Sequence, residues 1–328
     1  MNVRRRPISA VALAAVTALG LSTLTACSSD SAAAGTTDTF DVVASFYPMA
    51  FLAERIGGEH VHVTSLTEPG QEPHDLEISA HQMGQLEKSD AALYLKGLQP
   101  AVDKAVGLAE VSTKIDAAEL TTLETHGTEA GGHEDEHGDE HAHEDEHGHD
   151  HDHEGGTDPH IWLDPVKYAE VAEGVGKAFQ KADPDHAADY RKNTATLVKD
   201  LKALDDKFRT GLANRRTDVF LTTHAAFGYL AERYGLTEEA ISGLDPESEP
   251  SGARMKELQE IAKADGVTTV FYETLVSDRT AKTLAADVGL KTDVLDPVEG
   301  ITDHSRGEDY LQVMEANLTA LRTALGAR

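Results

Sequence analysis

The chain has 328 residues, of which 40% are hydrophobic and 27% are charged, and its formal net charge at pH 7 is −29 with histidine counted as neutral. This length allows two domains of ordinary size, each with its own hydrophobic core. The strong negative charge argues against a nucleic-acid partner, because a phosphate backbone is bound by basic surfaces, and it makes cations the natural class of ligand.

Residues 1–26 have the pattern of a signal peptide. A start with three arginines is followed by an apolar run over 8–21, which is too short to span a bilayer. The tetrapeptide Leu24-Thr25-Ala26-Cys27 resembles the bacterial lipobox, in which the cysteine becomes the lipidated first residue. Cys27 is the only cysteine, so the chain has no internal disulfide and no thiolate metal site. We expect an extracytoplasmic lipoprotein on the outer face of the cell membrane, with 27–38 as a flexible tether.

From residue 39 onward, short apolar runs alternate with helical patterns. Strands are predicted over 41–46, 61–66, 91–95 and 114–116, and helices over 48–56 and 79–88. Strands that alternate with helices predict a parallel sheet with helical crossovers.

Residues 124–157 are rich in histidine and acid and contain almost no large apolar side chains. Such a segment cannot bury enough surface to offset the entropy of ordering, which predicts a mobile loop. We interpret it as a weak metal-binding loop that raises the local metal concentration; the alternative is a solvated spacer without effect on uptake. The proposed weak ligands are His133, His137, His141, His143, His147, His149, His151 and His153.

The loop twice contains the pattern H-E-x-x-H, at 133–137 and 143–147, which matches the signature of zinc proteases. That motif works on a stable helix beside a cleft. Here glycine and like charge surround both copies, which argues against a protease.

After the loop, Asp164 followed by Pro165 predicts the start of a helix that runs to about Lys181. The same signal recurs at 183–184. The next helix carries an apolar stripe over more than five turns and is interpreted either as a rigid connector between lobes or as a long core helix. The stripe consists of Tyr190, Leu197, Leu201, Leu204, Phe208 and Leu212.

A second series of strands and helices completes the chain. Its predicted strands cover 218–222, 240–244, 267–272 and 292–295, and its predicted helices cover 224–234, 251–264, 279–288 and 307–325. The two halves share the same order of elements, which predicts an α/β fold. We expect an N-terminal lobe over 39–182, a linker helix over 183–214 and a C-terminal lobe over 215–328.

Several polar side chains follow predicted strands, where ligands bind in open parallel sheets. His74 and His224 lie at strand-to-helix junctions, Asp296 follows the last strand, and His160 lies just beyond the loop. Three neutral imidazoles leave a fourth tetrahedral position at a zinc ion, which a carboxylate such as Asp296 can fill. A lone histidine is more often a surface or core residue, so position alone does not decide this.

Five motifs in order over about 40–325 resemble the zinc and manganese substrate-binding proteins of ABC uptake transporters, the ZnuA-like group. They are Glu68-Pro-Gly-Gln-Glu-Pro-His74, Asp158-Pro-His160-Ile-Trp-Leu-Asp-Pro165, Thr222-Thr-His224, Glu249-Pro-Ser251 and Leu295-Asp-Pro297. The resemblance implies two α/β lobes, each with a mainly parallel sheet, joined by a long helix with metal in the cleft. Carried over, it implies His74 and His160 from the first lobe, His224 from the second, and Asp296 as fourth ligand or neighbour.

The resemblance also implies a function. The protein is expected to be a monomer that captures Zn²⁺ and delivers it to a membrane permease, without catalysis. Manganese members tend to have a carboxylate at the third histidine, whereas this chain keeps His224, so zinc is favoured. Some zinc members have a glutamate directly before the first histidine; here it is Pro73, which leaves Asp296 or water for the fourth position.

Alternative functions remain. The chain could be a manganese or broad divalent-metal receptor, an adhesin, or a zinc hydrolase with Glu72 or Asp75 as general base. Because histidine ligands must be neutral, we expect metal affinity to fall below about pH 6.5.

Overall fold

The computed structural model describes residues 39–126 and 157–328. Several predictions lie outside the described residues: the signal peptide over 1–26, Cys27 with the tether over 27–38, and the weak metal ligands from His133 to His153. Within the described ranges, no helix has both the length and the apolar character needed to cross a membrane.

The first lobe contains a four-stranded parallel sheet in the order β2-β1-β3-β4. Its strands are β1 (Phe40–Ala44), β2 (Val61–Ser65), β3 (Ala91–Tyr94) and β4 (Thr113–Asp116), and its helices are α1 (Tyr47–Gly57), α2 (Ala80–Leu86) and α3 (Pro100–Leu108). The sequence analysis did not predict α3. This helix has nine residues and buries only Val102, Ala105 and Val106, so its apolar periodicity is short and weak.

Two long helices follow. Helix α4 (Pro165–Ala182) begins as predicted, with the Asp164 carboxylate accepting a hydrogen bond from the backbone N–H of Val166 at 2.8 Å. Helix α5 (Ala187–Gly211) begins after a short 3₁₀ turn. Asp183 occupies the N-cap position of this turn as predicted, but its carboxylate accepts from the side chains of His186 and Tyr190 and not from the backbone.

The second lobe repeats the topology of the first, with the strand order β6-β5-β7-β8 and all strands parallel. Its strands are β5 (Val219–Thr222), β6 (Thr237–Ala240), β7 (Thr269–Tyr272) and β8 (Lys291–Val294). Its helices are α6 (Gly228–Tyr234), α7 (Gly252–Ala264), α8 (Arg279–Val288) and α9 (Tyr310–Leu325).

Two predictions in this lobe were misplaced. The strand expected over 240–244 is β6, which pairs with β5 from Thr237 and carries Glu238 and Glu239, so its polar composition concealed it. The helix expected from residue 224 begins at Gly228, because 224–227 form a turn that carries His224.

One hydrophobic core extends through both lobes. It contains Phe46 and Ile115 of the first lobe, Phe220 of the second, and Leu201 and Phe208 of α5. Helix α5 packs against α1 and α4 on one side and against α9 on the other. The fold class is confirmed: two α/β lobes with parallel sheets flanked by helices. Residues 39–328 form one compact unit, so the lobe boundaries at 182–183 and 214–215 stay predictions.

Candidate metal centre

Four side chains converge between the lobes. His74 lies in the loop after β2, His160 precedes α4, His224 follows β5 and Glu299 follows β8. One donor atom from each lies within 4.8 Å of every other. The group is therefore assembled from both lobes, and three of its members lie beyond the C-terminal ends of parallel strands.

The separations between donor atoms suit a single small ion. Glu299 Oε1 lies 3.3 Å from His74 Nε2, 3.4 Å from His160 Nε2 and 3.8 Å from His224 Nε2. The Nε2 atoms of His160 and His224 are 3.4 Å apart. Ligands that surround zinc at tetrahedral corners lie about 3.3–3.4 Å from one another. These four separations are close to the tetrahedral value, and the separations from His74 Nε2 to the other two imidazole nitrogens are at most 4.8 Å.

Two of the histidines are held in a fixed orientation by buried carboxylates. His160 Nδ1 donates to Asp158 Oδ1 at 2.7 Å, and His224 Nδ1 donates to Glu273 Oε1 at 2.7 Å. Both carboxylates are buried, as are His160 and His224 themselves. A carboxylate on one ring nitrogen fixes the tautomer and makes the other nitrogen a better metal ligand. In each ring Nε2 faces the centre of the group.

The buried charges shift the pKa of the group members. Burial alone would lower the pKa of His160, but hydrogen bonds to Asp158 and Glu299 outweigh it and raise the pKa to about 10. For His224, burial is likewise outweighed by Glu273, and the pKa is raised. Burial would raise the pKa of Glu299, yet the neighbouring histidines hold it below its usual range. These shifts favour protonated imidazoles at His160 and His224 beside an ionised Glu299 when no metal is bound.

Asp296, the carboxylate expected from the sequence, does not join this group. Its Oδ1 accepts from the backbone N–H of Val298 at 2.8 Å, and its Oδ2 accepts from Thr274 Oγ1 at 3.1 Å. Its own N–H donates to Asn317 Oδ1 at 2.9 Å. Both oxygens of the Asp296 carboxylate therefore accept hydrogen bonds from residues around the turn that follows β8. Burial raises the pKa of Asp296 to about 6.

The turn that Asp296 holds carries Glu299 into the group. Val298 has a φ of +59°, which is strained for a β-branched residue. The turn is fixed from the first lobe as well, since Trp162 Nε1 donates to the carbonyl oxygen of Pro297 at 2.7 Å. Asp296 is therefore a neighbour of the site that positions the fourth donor.

Neither Glu299 nor Glu273 was predicted from the sequence. The only signal for Glu299 was an acid three residues beyond Asp296 in the same loop, and for Glu273 an acid directly after a predicted strand. Neither has a spacing that distinguishes it from other acids of this chain. Trp162, which follows His160 by two residues, is fully buried.

Other polar residues near the site in sequence do not join the group. His304, eight residues beyond Asp296, is exposed, and its backbone N–H donates to Thr302 Oγ1 at 3.1 Å. Glu72 and Asp75 are not members of the group, and one Glu72 oxygen accepts from the backbone N–H of Asp75 at 3.2 Å. Burial raises the pKa of Glu72, with His74 opposing the shift.

Comparison with known proteins agrees with this architecture. A family model described as "ZnuA: Zinc-uptake complex component A periplasmic" matches residues 42–324. The chain belongs to this family. The ZnuA family provides solute-binding components of zinc-uptake complexes.

Two curated relatives illustrate the likeness. The chain is 36% identical over 305 residues to the zinc-binding lipoprotein AdcA of Streptococcus pneumoniae, covering 91% of this chain and 58% of that protein. It is 33% identical over 294 residues to the high-affinity zinc uptake system protein ZnuA of Bacillus subtilis, covering 88% of each. The chain thus spans less than two thirds of the streptococcal relative and most of the Bacillus one.

A solved structure has a similar fold and a similar sequence identity to this chain. The Zn(II)-bound ZnuA-like domain of Streptococcus pneumoniae AdcA superposes with a TM-score of 0.70 and 32% identity, covering 88% of this chain and 99% of that domain.

Proposed function

We propose that this protein is the extracytoplasmic zinc-binding component of an ABC metal-uptake transporter. It captures Zn²⁺ between its lobes and delivers the ion to a membrane permease, with His74, His160, His224 and Glu299 as ligands. The observation that carries the proposal is the convergence of three imidazole nitrogens and one carboxylate oxygen, all within 4.8 Å of one another, with Glu299 Oε1 lying 3.3–3.8 Å from each nitrogen. The name of the Bacillus relative, a high-affinity zinc uptake protein, supports it.

The donor set favours zinc over manganese. Manganese sites are usually six-coordinate and rich in oxygen, whereas three imidazoles with one carboxylate suit zinc. Two of the imidazoles are also fixed by buried carboxylates, which preorganises them for an ion of this size.

A binding role is favoured over hydrolysis. Catalytic zinc sites usually have three protein ligands and a water molecule that is activated for attack. In this group Glu299 supplies a fourth protein donor, so a four-coordinate ion has no corner left for such a water. We propose accordingly that the protein performs no chemistry on its cargo.

The ion would enter and leave at His74. The side chain of His74 is 12% exposed, while those of His160, His224 and Glu299 are at most 2% exposed. The hydrophobic core around α5 is continuous between the lobes and resists a large opening. Movement of the loop that carries His74 is therefore the smaller rearrangement.

We further propose that Cys27 anchors the chain to the outer face of the membrane and that the protein acts as a monomer. The word lipoprotein in the name of the streptococcal relative supports the anchor. The His-rich loop would contribute weak binding through its histidines, as the sequence predicts.

Calorimetric titration of the metal-free protein with Zn²⁺ and Mn²⁺ tests the proposal. We expect tight zinc binding that is lost in His74→Ala, His160→Ala and His224→Ala and kept in the control His304→Ala, whose ring is exposed. Deletion of 127–156 should leave the tight site intact. Loss of tight binding on that deletion, with no effect of the point substitutions, would contradict the ligand assignment. Tighter binding of manganese than of zinc would contradict the cargo.

A further inference from the structure

A second group of potential metal ligands lies outside the cage, the name used here for His74, His160, His224 and Glu299. It includes His126, which directly precedes residues 127–156. One donor atom each from Glu124, His126 and Glu232 lies within 4.8 Å of the others. His126 Nε2 is 2.9 Å from Glu232 Oε2 and 3.9 Å from Glu124 Oε2. Glu232 belongs to α6, so this group also draws on both lobes.

Residues 124–126 belong to the segment predicted as a mobile loop, but they have defined contacts. The backbone N–H of Glu124 donates to the hydroxyl of Tyr229 at 2.8 Å, and the Tyr229 hydroxyl donates to the carbonyl of Asp158 at 2.9 Å. The His126 ring packs edge-on against the Tyr229 ring with centroids 4.5 Å apart. These contacts fix the end of the segment.

His126 is oriented in the same way as the histidines of the cage. Its Nδ1 donates to Asp158 Oδ2 at 2.9 Å, while Asp158 Oδ1 accepts from His160 Nδ1 at 2.7 Å. Asp158 is fully buried. One buried carboxylate therefore orients one histidine in each group and leaves both Nε2 atoms facing other donors.

The backbone of α6 is shaped to receive this histidine. A Cβ atom at Gly228 would lie 2.4 Å from the Cβ of His126 and 2.9 Å from Asp158 Oδ2, a distance that real side chains do not reach. A glycine at this position is thus required for the ring to lie against Asp158. The His126 side chain is 17% exposed, whereas that of Glu232 is 60% exposed, so the Nε2 side of the ring opens to solvent.

We propose that Glu124, His126 and Glu232 form a second divalent-cation site of lower affinity than the cage. His126 Nε2 and two carboxylate oxygens would be the donors, and water would complete the coordination. One nitrogen with two oxygens suits first-row divalent ions such as Zn²⁺ or Co²⁺. The inference does not depend on the function proposed for the cage.

Two other partners compete with a metal ion for these ligands and lower the expected affinity. Glu124 Oε1 already binds Lys167 Nζ at 2.6 Å, which neutralises part of its charge. The Asp158 hydrogen bond raises the pKa of His126 to about 9, with burial opposing and Glu232 assisting, so a metal must displace a proton at neutral pH. Without metal, the same residues form an ion pair between the imidazolium and Glu232.

Equilibrium dialysis of full-length mature protein with Zn²⁺ tests the site. The histidines of the loop from His133 to His153 are first replaced by asparagine, so that they cannot bind the metal. We expect a tight first equivalent and a weaker second one. Glu232→Gln should lower the affinity for the second equivalent at least about tenfold, with the first unchanged. The matched control is Glu173→Gln, an exposed glutamate on α4.

A spectroscopic measurement locates the ion independently. With ¹⁵N-labelled histidine, the second equivalent should shift the His126 Nε2 resonance and leave its Nδ1 protonated. Binding of one equivalent only, or equal second-equivalent affinities in Glu232→Gln and Glu173→Gln, would show that the residues form an ion pair only and would overturn the proposal. If substitutions in the cage remove only the tight equivalent, the result concerns the cage and does not contradict the second site.

Discussion

Asp158 and His160 are joined by a hydrogen bond of 2.7 Å between Oδ1 and Nδ1, and neither side chain has any exposed surface. Asp158 also accepts from the backbone N–H of His160 at 2.9 Å. His160 is thus bound to Asp158 through both its side chain and its main chain. Replacement of the carboxylate by an amide preserves the size of the side chain and removes its negative charge.

We therefore expect Asp158→Asn to weaken zinc binding by about 10–100-fold, the range found when a partner that orients a metal-binding histidine is lost. Competition with a chromophoric chelator would measure it. The control is Asp185→Asn, an exposed acid at the start of the α5 region. Equal affinities in the two variants would show that Asp158 does not support His160.

Zinc binding should release protons well above pH 6.5. Burial lowers the pKa of His160, but Asp158 and Glu299 raise it to about 10, so the ring carries a proton in the metal-free protein at pH 7–9. Because zinc requires the neutral ring, the affinity should rise with pH up to about pH 10, a higher window than the sequence alone indicated.

Calorimetry at pH 8 in buffers of different ionisation enthalpy would measure this release. We expect about one proton per zinc ion. An observed enthalpy that does not depend on the buffer, together with a constant affinity between pH 7 and pH 9, would contradict the protonated cage.

Glu299 and Asp296 should respond to substitution in different ways. Glu299→Gln removes the charge that three histidines face, so zinc affinity should fall by at least about a hundredfold, beyond the effect of losing a supporting partner. Asp296→Ala removes the acceptor for Val298 and Thr274, so the free energy of unfolding should fall by about 1–3 kcal/mol. Zinc titration and denaturant unfolding of both variants separate the two roles. A larger loss of affinity in Asp296→Ala than in Glu299→Gln would favour the original expectation for Asp296.

Asp164 links the two lobes through a charged contact. Its carboxylate caps α4 through Val166 and also accepts from Arg233 Nε at 2.8 Å and Nη2 at 2.6 Å. Asp164→Ala should lower the free energy of unfolding by about 1–3 kcal/mol, because it removes a helix cap and the ion pair of the buried Asp164 with Arg233.

Chemical denaturation of Asp164→Ala would measure this loss. The exposed Asp206 on α5 provides a control, and its replacement by alanine should change stability by less than about 0.5 kcal/mol. Equal stabilities of the two variants would show that the contact between α4 and α6 contributes little.

The sequence by itself determined the order of the strands and much of the site, although it gave no sign of helix α3. Alternating apolar runs and helical patterns predicted every strand of both sheets, although β6 was displaced by a few residues because its edge position tolerates Glu238 and Glu239. The motifs around His74, His160 and His224 predicted three of the four residues that converge. These features are local, because periodicity, helix caps and short motifs depend only on residues that are close in sequence.

Only the tertiary structure decided which carboxylates belong to the site. Glu299 enters the cage because Asp296 and Trp162 hold the strained turn at Val298, and the contact of Trp162 with Pro297 joins residues that are 135 positions apart. Asp158 accepts hydrogen bonds from both His160 and His126, and His126 lies 32 positions away from it in the chain. Acidic residues are abundant in this chain and have no periodic signature, so their roles follow from packing and not from their place in the sequence.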